Sequence, residues 1–386
     1  MKSNYKPIGN YIKRVELRNR DLKVTRLLGL SMTKEFRETT SNIVGTDMSV
    51  YRVMSKYQFA CDFMSPIRVN KLPVVLKLDD EPNLVSPAYP VFEIKDRNEL
   101  DPEYLMMWFR RTEFDRYATF KCDAAIRGGY EWTELCETLI PVPSITKQRE
   151  IVKEYNLIQN RIALNQELIQ KLEETAQAIY KQWFVEGIDL ENLQEGWTIK
   201  SVYETTNFIN GAAFKESDFE ISKNGLPIIK ISELKKGVDE QTDFTTKQLV
   251  SKYKITNGDM LYSWSGNPET SLEVFKWFGG DAWLNQHIFK LEFEEVHSKC
   301  FVYYMLKELK KEFVRLAEGK QTTGLGHVTI ADLKELNITY PSKQDLKRFE
   351  KTIIPFYEYD SILIKENQKL SELKELLLSK LATIEN

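Results

Sequence analysis

The sequence predicts a mixed α/β chain, of the α+β kind, in which two tandem globular modules are separated by two long antiparallel helices. The helices are expected to form an intramolecular coiled coil, and the whole chain to form a pseudo-two-fold repeat. Three observations lead to this prediction: the chain repeats itself at an offset of 198 residues, an apolar helical seam follows the first module, and a second seam closes the chain. We therefore expect the order module, helix, module, helix.

The repeat joins the end of each module to the helix that follows it. Without gaps, twelve residues are identical over 68 aligned positions, against about four expected by chance. Met107 aligns with Met305, and the triplet Gln170-Lys171-Leu172 aligns with Gln368-Lys369-Leu370. A duplication explains these identities.

The first long helix shows apolar residues at alternating spacings of four and three, which is the pattern of a coiled-coil seam. It has no Pro or Gly between Lys147 and Phe184 and is expected to end at Gly187. At 1.5 Å per residue it should span roughly 55 Å. Asn165 is its one polar seam residue, and a buried polar residue there would fix the register.

The second long helix occupies the last 45 residues and has a less regular seam. Asp360, Asn367 and Lys374 interrupt it, and Pro355 removes a backbone donor, so we expect a kink or a restarted helix near Pro355. The residues expected to pair the two helices are Ile151, Ile158, Ile162, Asn165, Leu172, Ile179, Leu363, Leu370 and Leu377.

Proline-bearing segments at 140–144 and 340–342 precede the helices and mark domain limits. We predict four parts: a first module at 1–143, a central helix at 144–190, a second module at 191–341, and a terminal helix at 342–386. Each module should end in a helix, from Asp101-Pro102 to Tyr117 in the first and over about 299–318 in the second. A polar loop containing glycine follows each of these helices.

Charge is distributed unevenly along a chain whose net charge is only −3. Residues 1–37 carry ten Lys or Arg against three acidic residues, whereas residues 191–341 carry 18 basic and 22 acidic residues and the single arginine Arg315. No run of about 18 apolar residues occurs, and the first residues do not resemble a signal peptide, so we expect a cytoplasmic protein without a membrane segment. The four cysteines lack metal-ligand spacing and are expected to be free thiols.

No motif for catalysis or metal binding stands out. Asp79-Asp80 followed by Glu93-Ile94-Lys95 only superficially matches the acidic pair and lysine of magnesium nucleases, and the second module has Phe289-Lys290-Leu291 in its place. The three histidines lack the spacing of zinc motifs, and Gly324-Leu325-Gly326 lacks the lysine of a phosphate-binding loop. The sequence thus predicts a chain that is not an enzyme and has neither a metal site nor a cofactor of its own.

The layout resembles the specificity subunit of type I restriction-modification enzymes, over the whole chain. The segment 172–184 (LEETAQAIYKQWF), followed by Gly196-Trp197, is similar to the central helical region of that family, and 373–378 (LKELLL) is similar to its distal helix. Gly258-Asp259-Met260-Leu261 and Asn285-Gln286-His287 resemble recurring motifs of its target-recognition domains. The interruption at Pro355 departs from the pattern, as does 57–60 (YQFA) in the first module.

The resemblance implies that each module reads one half-site in double-stranded DNA and that the helices set the gap between the half-sites. Because the modules differ in sequence, the combined site should be bipartite and asymmetric. The expected partners are DNA methyltransferase subunits and a translocating restriction subunit. S-adenosylmethionine, ATP and magnesium are expected in those partners.

Readers of DNA are expected among polar and basic side chains on loops. The candidates in the first module are Arg18, Asn19, Arg20, Lys23, Arg26 and Arg127, and those in the second are Lys230, Ser263, Trp264, Ser265, Asn267, Lys320, Gln321, Thr322, Thr323 and His327. Trp264 could equally be a core residue. A protein of another class also remains possible: a scaffold whose coiled coil only assembles partners and whose modules read nothing.

Overall fold

The computed structural model describes residues 5–39, 45–123, 129–320 and 326–384. The chain forms two compact units: unit 1 comprises Met1–Ile162 and Lys369–Asn386, and unit 2 comprises Ala163–Gln368. The limits of these units fall inside the two long helices, so each unit contains part of both. The domain limits predicted at residues 143, 190 and 341 stay predictions.

Unit 1 is built from short strands and helices around the first apolar core. Its strands are β1 (Tyr5–Pro7), β2 (Ile12–Val15), β3 (Leu28–Leu30), β4 (Phe36–Glu38), β5 (Arg52–Met54), β6 (Gln58–Cys61), β7 (Val74–Leu76), β8 (Asn83–Val85), β9 (Val91–Ile94) and β10 (Leu139–Pro141). Its helices are α1 (Ser65–Val69), α2 (Pro102–Arg110), α3 (Thr112–Asp123), α4 (Trp132–Glu137) and the first part of α5 (Ile145–Phe184), with 3-10 turns at Ile8–Asn10 and Met48–Val50.

Unit 2 repeats this plan around a second core. Its strands are β11 (Thr198–Ser201), β12 (Asn207–Asn210), β13 (Leu226–Ile229), β14 (Phe244–Thr245), β15 (Lys254–Ile255), β16 (Met260–Ser263), β17 (Ser265–Gly266), β18 (Glu273–Lys276), β19 (Ala282–Leu284), β20 (Ile288–Glu292), β21 (Gly326–His327) and β22 (Asn337–Tyr340). Its helices are α6 (Ile231–Lys236), α7 (Pro268–Ser271), α8 (Lys299–Glu308), α9 (Lys310–Glu318), α10 (Ile330–Glu335) and most of α11 (Lys343–Lys380). Its 3-10 turns lie at Val202–Thr205, Glu216–Asp218, Ser251–Tyr253 and Val296–Ser298, and another at Leu381–Thr383 follows α11 in unit 1.

The two units share the topology of their central sheet. The strand order is β2-β9-β6-β7 in unit 1 and β12-β20-β16-β18 in unit 2, with every neighbouring pair antiparallel. A second sheet, β14-β13-β19-β15, lies in unit 2 and includes the parallel pair β13 and β19. The duplication seen in the sequence therefore has a counterpart in the fold.

The long helices pack antiparallel in each unit. In unit 1 the start of α5 (Ile151, Tyr155) shares the apolar core with Leu378, near the end of α11. In unit 2 the end of α5 (Tyr180) shares a core with Phe349, near the start of α11. The predicted intramolecular coiled coil is confirmed.

The residues predicted to pair the two helices are all buried or half-buried. Ile151 and Leu363 are buried, and Ile158, Ile162, Leu172, Ile179, Leu370 and Leu377 are half-buried. Asn165 is buried as expected, and its amide donates hydrogen bonds to Glu366 Oε2 at 3.0 Å and Asn367 Oδ1 at 2.9 Å. The polar seam residues thus pair with one another.

Helix α11 continues through Pro355, so of the two expected outcomes a restart of the helix is wrong, and a kink stays a prediction. One turn later Asp360, predicted to interrupt the seam, is fully buried in an ion pair with Lys276 of β18. Ile353 and Tyr357, on either side of Pro355, are buried, and their packing holds the helix where proline removes one backbone hydrogen bond.

Two predicted helices are each divided. The first is split between α2 and α3 at Arg111, whose backbone is extended, and the second is split between α8 and α9 at Leu309. Asp101 caps α2 as predicted, accepting hydrogen bonds from the amides of Glu103 and Tyr104. Cys61, Cys122 and Cys300 are buried free thiols, whereas Cys136 is half-exposed.

Candidate nucleic-acid interface

The ends of three strands meet at one edge of the central sheet of unit 2. Strands β12 and β16 both run antiparallel to β20, which lies between them, so they end where β20 begins. Asn210 ends β12, Trp264 follows β16, and His287 precedes β20. We call this place the strand-end edge of unit 2.

Trp264 organises this edge. Its indole Nε1 donates to Asn210 Oδ1 at 3.1 Å, and its ring centroid lies 5.5 Å from that of His287 and 5.9 Å from that of His327. The same ring stacks on Phe289 at 5.7 Å, so one side of the indole belongs to the core. The alternative that Trp264 is a core residue therefore describes one face of its ring, and a contact of Trp264 with DNA stays a prediction.

The short pair β17 and β21 closes the edge. Ser265 lies opposite His327, and its Oγ is 2.9 Å from His327 Nδ1. The amide of Val328 donates to the Trp264 carbonyl at 2.9 Å. Strand β21 follows directly after residues 321–325, so the predicted reading loop rejoins the described chain at this edge.

The imidazole of His287 is adapted to hydrogen bonding in its neutral form. Burial lowers the pKa of His287, and the neighbouring His327 lowers it further. A neutral imidazole has one donor and one acceptor nitrogen. In His287 the Nδ1 atom is buried, and Nε2 lies 3.4 Å from Gln286 Nε2. Of the two ring nitrogens, Nε2 is therefore the one that, together with the Asn210 amide, can pair with a donor or acceptor of a base edge.

Lys230 lies at the matching edge of the second sheet. Strands β13 and β19 are parallel, with Ile229 opposite Leu284, so Lys230 is next to Asn285 at the same strand ends. Its ammonium forms an ion pair with Asp243 and lies 5.1 Å over the ring of Phe219. This pairing leaves the side chain partly exposed.

The remaining candidates of unit 2 have other roles or lie elsewhere. Asn267 is exposed, but its Oδ1 accepts from the Thr270 amide at 3.2 Å and so caps α7. Lys320 pairs with the carboxylate of Asp332. Ser263 is fully buried, so no DNA contact through its side chain is expected. Gln321, Thr322 and Thr323 lie outside the described residues.

The basic candidates of unit 1 lie on the loop that follows β2. Arg18 donates to the Val50 carbonyl at 2.6 Å, and Arg20 is exposed. Lys23 pairs with Asp21 at 3.3 Å and Arg26 pairs with Glu38 at 3.3 Å, both on the surface. Surface pairs of this kind are weak and can exchange for phosphate. Arg127 lies outside the described residues.

Asn19 is buried rather than presented to DNA. Its Nδ2 donates to the Val24 carbonyl at 2.8 Å, and its Oδ1 accepts from the Val24 amide at 3.2 Å. Both ends of the amide are therefore used to shape the loop that carries Arg20 and Lys23. Asn19 positions this loop, and a direct contact with DNA through it is not expected.

Unit 1 has a strand-end edge of its own, formed where β2 and β6 end and β9 begins. The amide of Tyr130 donates to the Phe63 carbonyl at 3.1 Å, as Val328 does to Trp264 in unit 2. The guanidinium of Arg52 donates to the carbonyls of Val15 and Pro87 at 3.4 and 3.2 Å, which ties the end of β2 to the segment between β8 and β9.

Sequence reasoning missed Asn210 and His287 as members of the candidate site. Asn285-Gln286-His287 had attracted notice as a motif, which was a usable signal. The sequence around Asn210 contains no such signal, because the neighbours of Asn210 at the edge come from segments more than 50 residues away in the chain. Among the residues that the structure describes, no group of three metal-ligating side chains occurs. Nor does the described part contain a helix long and apolar enough to span a membrane.

The sequence is similar to that of known proteins. Residues 194–375 match the family of the type I restriction modification DNA specificity domain. The type I restriction enzyme MjaIX specificity subunit of Methanocaldococcus jannaschii is 23% identical over 72% of this chain and 68% of its own length. The HindI specificity subunit of Haemophilus influenzae is 21% identical over 77% of this chain and 80% of its own.

A crystal structure supports the fold. The S subunit of a type I restriction-modification system from M. genitalium aligns with 99% of this chain and 96% of that chain, at 16% identity and a TM-score of 0.51. The match confirms the mixed fold with its two long helices. Residues 194–375 thus match the type I restriction modification DNA specificity domain, and about three quarters of the chain is similar to specificity subunits of type I restriction enzymes.

Proposed function

We propose that the chain selects the DNA site of a type I restriction-modification complex and that each unit reads one half of a bipartite, asymmetric site. The observation that carries this proposal is the strand-end edge of unit 2. There, Asn210, Trp264, His287 and His327 come together from four separate segments beside the exit of a predicted reading loop. Amide and imidazole groups in such a position suit contacts with base edges.

The two edges differ in chemistry, and this difference supports an asymmetric site. Unit 2 presents histidines, an amide and an indole at its edge, whereas at the equivalent backbone contact unit 1 has the half-buried Phe63 and the buried Tyr130. Exposed Arg20 and Lys23 lie on the loop that extends from β2. Cations on such loops would bind phosphates and supply affinity, while the edges would supply sequence preference.

Methyltransferase subunits are proposed to dock on the long helices. In unit 2, Leu164 and Leu168 of α5 are exposed one turn apart; in unit 1, Leu373 and Leu376 of α11 are exposed at the same kind of spacing. Exposed leucines at helical spacing are typical of helix-docking surfaces. In this proposal the chain itself performs no catalysis. S-adenosylmethionine, ATP and magnesium act in the methyltransferase and translocating restriction subunits, within the cytoplasm.

Methylation mapping tests the proposal directly. We expect deletion of the gene to abolish methylation at a bipartite motif in the host genome and the intact gene to restore it. A gene that encodes the variant Asn210→Ala should restore methylation with a relaxed sequence preference in one half-site and an unchanged preference in the other. Asn207→Ala is the matched control, because Asn207 is an exposed asparagine at the opposite end of the same four-residue strand.

A different result would favour the scaffold. If methylation motifs were the same with and without the gene, and if the purified chain bound all duplexes equally, the units would not read sequence. If Asn207→Ala relaxed a half-site as strongly as Asn210→Ala, the strand-end edge would not be the reading surface.

A further inference from the structure

The turn that leaves β6 in unit 1 exposes three apolar side chains, one of which is Val69, 47% exposed at the end of α1. Met64, the residue before α1, is 50% exposed, and Ile67 within α1 is 46% exposed. They are three residues apart in a helical turn and so share one face. Exposed apolar side chains that lie next to each other at a candidate binding edge indicate an interaction site.

The position of this turn in the fold is that of α7 in unit 2. Both α1 and α7 connect the same two strands of the central sheet, β6 to β7 and β16 to β18, and both have proline in their first turn, Pro66 and Pro268. In unit 2 the turn carries exposed polar residues, Asn267 and Glu269. The equivalent turn of unit 1 carries Met64 and Ile67, so the two units differ in chemistry at one shared place.

Met64 lies beside the exit of the first predicted reading loop. A Cβ atom built on Gly129, which follows residues 124–128, would lie 3.7 Å from Met64 Sδ. The surroundings favour a polyanion over a protein partner, because Arg68 and Lys71 of the same segment are exposed. The nearby acid, Asp62, is occupied in accepting from the Met64 amide at 3.0 Å and from Ser65 Oγ at 2.8 Å.

We propose that Met64 and Ile67 contact the 5-methyl groups of thymine in the major groove, so that the half-site read by unit 1 includes thymine. The inference rests on the proposed function and adds to it the chemical group that this turn recognises. In the major groove the thymine methyl is the apolar feature that distinguishes this base, and apolar side chains are its usual partners. Arg68 and Lys71 would hold the turn against the adjacent phosphates.

Replacing thymine by uracil tests the inference, because uracil lacks only the methyl group. The full chain would first select its site from a randomised duplex pool, and Asn210→Ala would identify the half-site of unit 2 as the one that relaxes. Uracil in the other half-site should then weaken binding about fourfold for each contacted methyl. Uracil in the half-site of unit 2 is the internal control for the duplex.

A double variant localises the effect. Met64→Gln with Ile67→Thr should bind thymine and uracil duplexes equally, whereas Leu78→Asn should retain the preference for thymine. Leu78 is a matched control, since it is 49% exposed and follows β7 at the opposite end of the same sheet.

Three results would overturn the inference. Equal binding of thymine and uracil duplexes by the wild-type chain would do so without relying on any variant. If the double variant lost the same affinity for the thymine duplex and the uracil duplex relative to the wild type, the two side chains would instead act as a wedge between base steps. A thymine preference that survives in the double variant would place the contact elsewhere. If the chain showed no sequence-specific binding at all, the proposed function itself would be refuted. This outcome differs from the three results above, each of which requires that the wild-type chain selects a site.

Discussion

The side-chain amides of Asn165 and Asn367 meet in the seam between α5 and α11, where Asn165 Nδ2 donates to Asn367 Oδ1 at 2.9 Å. Each asparagine interrupts an otherwise apolar pattern, and the two interruptions coincide in space. A polar pair placed in this way specifies one register for the two helices, because any slip would bury an unpaired amide.

A double-mutant cycle should reveal this coupling. We expect Asn165→Leu alone to lower the free energy of unfolding by about 1–3 kcal/mol, since Asn367 loses a partner inside the seam. The double variant with Asn367→Leu should recover most of this loss, because no amide is then left unpaired. Urea unfolding of the full chain measures both values. Strictly additive losses would show that the two amides are not coupled.

The buried ion pair of Lys276 and Asp360 should be sensitive to the loss of one partner. Lys276 Nζ lies 2.7 Å from Asp360 Oδ2, both side chains are almost inaccessible, and the ammonium lies 3.5 Å from the ring of Tyr357. Asp360→Leu should lower the free energy of unfolding by about 3–5 kcal/mol, because it leaves a buried charge uncompensated. Chemical unfolding of the variant measures this.

Two further variants serve as controls for the ion pair. The double substitution Lys276→Met with Asp360→Leu should restore stability, since both charges are removed together. Lys171→Ala breaks an exposed ion pair with Glu174 in the same unit and should leave the unfolding curve unchanged. If Lys171→Ala and Asp360→Leu had equal effects, burial would not be the reason for the sensitivity.

The stability of the protein should depend on pH through His287. Burial and His327 lower the pKa of this imidazole in the folded protein, so the unfolded chain takes up the proton more readily. The resulting stability is present above the unfolded pKa of about 6.5 and is lost as the pH falls toward the folded value. His287→Gln should therefore lose less stability than the wild type between about pH 7.5 and about pH 5.5. Identical losses in urea unfolding would contradict this prediction.

Shortening both helices together should shorten the gap in the DNA site and leave the half-sites intact. The register set by Asn165 and Asn367 makes 158–164 and 368–374 matched segments. Their joint deletion removes one heptad from each helix, about 10 Å, or roughly three base pairs. Methylation mapping of this variant gives the new gap. Altered half-site bases at an unchanged gap would refute the role of the helices as a spacer.

The sequence predicted the helices well because a seam is a local, periodic pattern. Asn165 could be identified as a buried polar residue from its position in that pattern alone. Asp360 was also recognised as an interruption, but its partner Lys276 could not be found, because the two are 84 residues apart and no periodicity relates them.

The candidate site was less predictable, because its members meet only at strand ends. Ser265 and His327 were chosen for polar character and do lie together, whereas Asn210 and His287 required the order of strands in the sheet. Asn19 is of a residue type that often contacts bases, yet its side chain forms two hydrogen bonds with Val24 and so stabilises its own loop. Polarity alone does not distinguish an asparagine that contacts DNA from one that stabilises its own loop.

The hydroxyl of Tyr5 donates to the carbonyl of Ala382 at 2.7 Å, across 377 residues of chain. Unit 1 also takes Leu378 and Leu381 into its apolar core. During translation, then, the first unit to leave the ribosome is the last to be completed. The apolar core of unit 1 therefore stays partly exposed to solvent while the whole of unit 2 is synthesised. If the ribosome stalls before residue 369, proteases and chaperones can bind the incomplete core of unit 1.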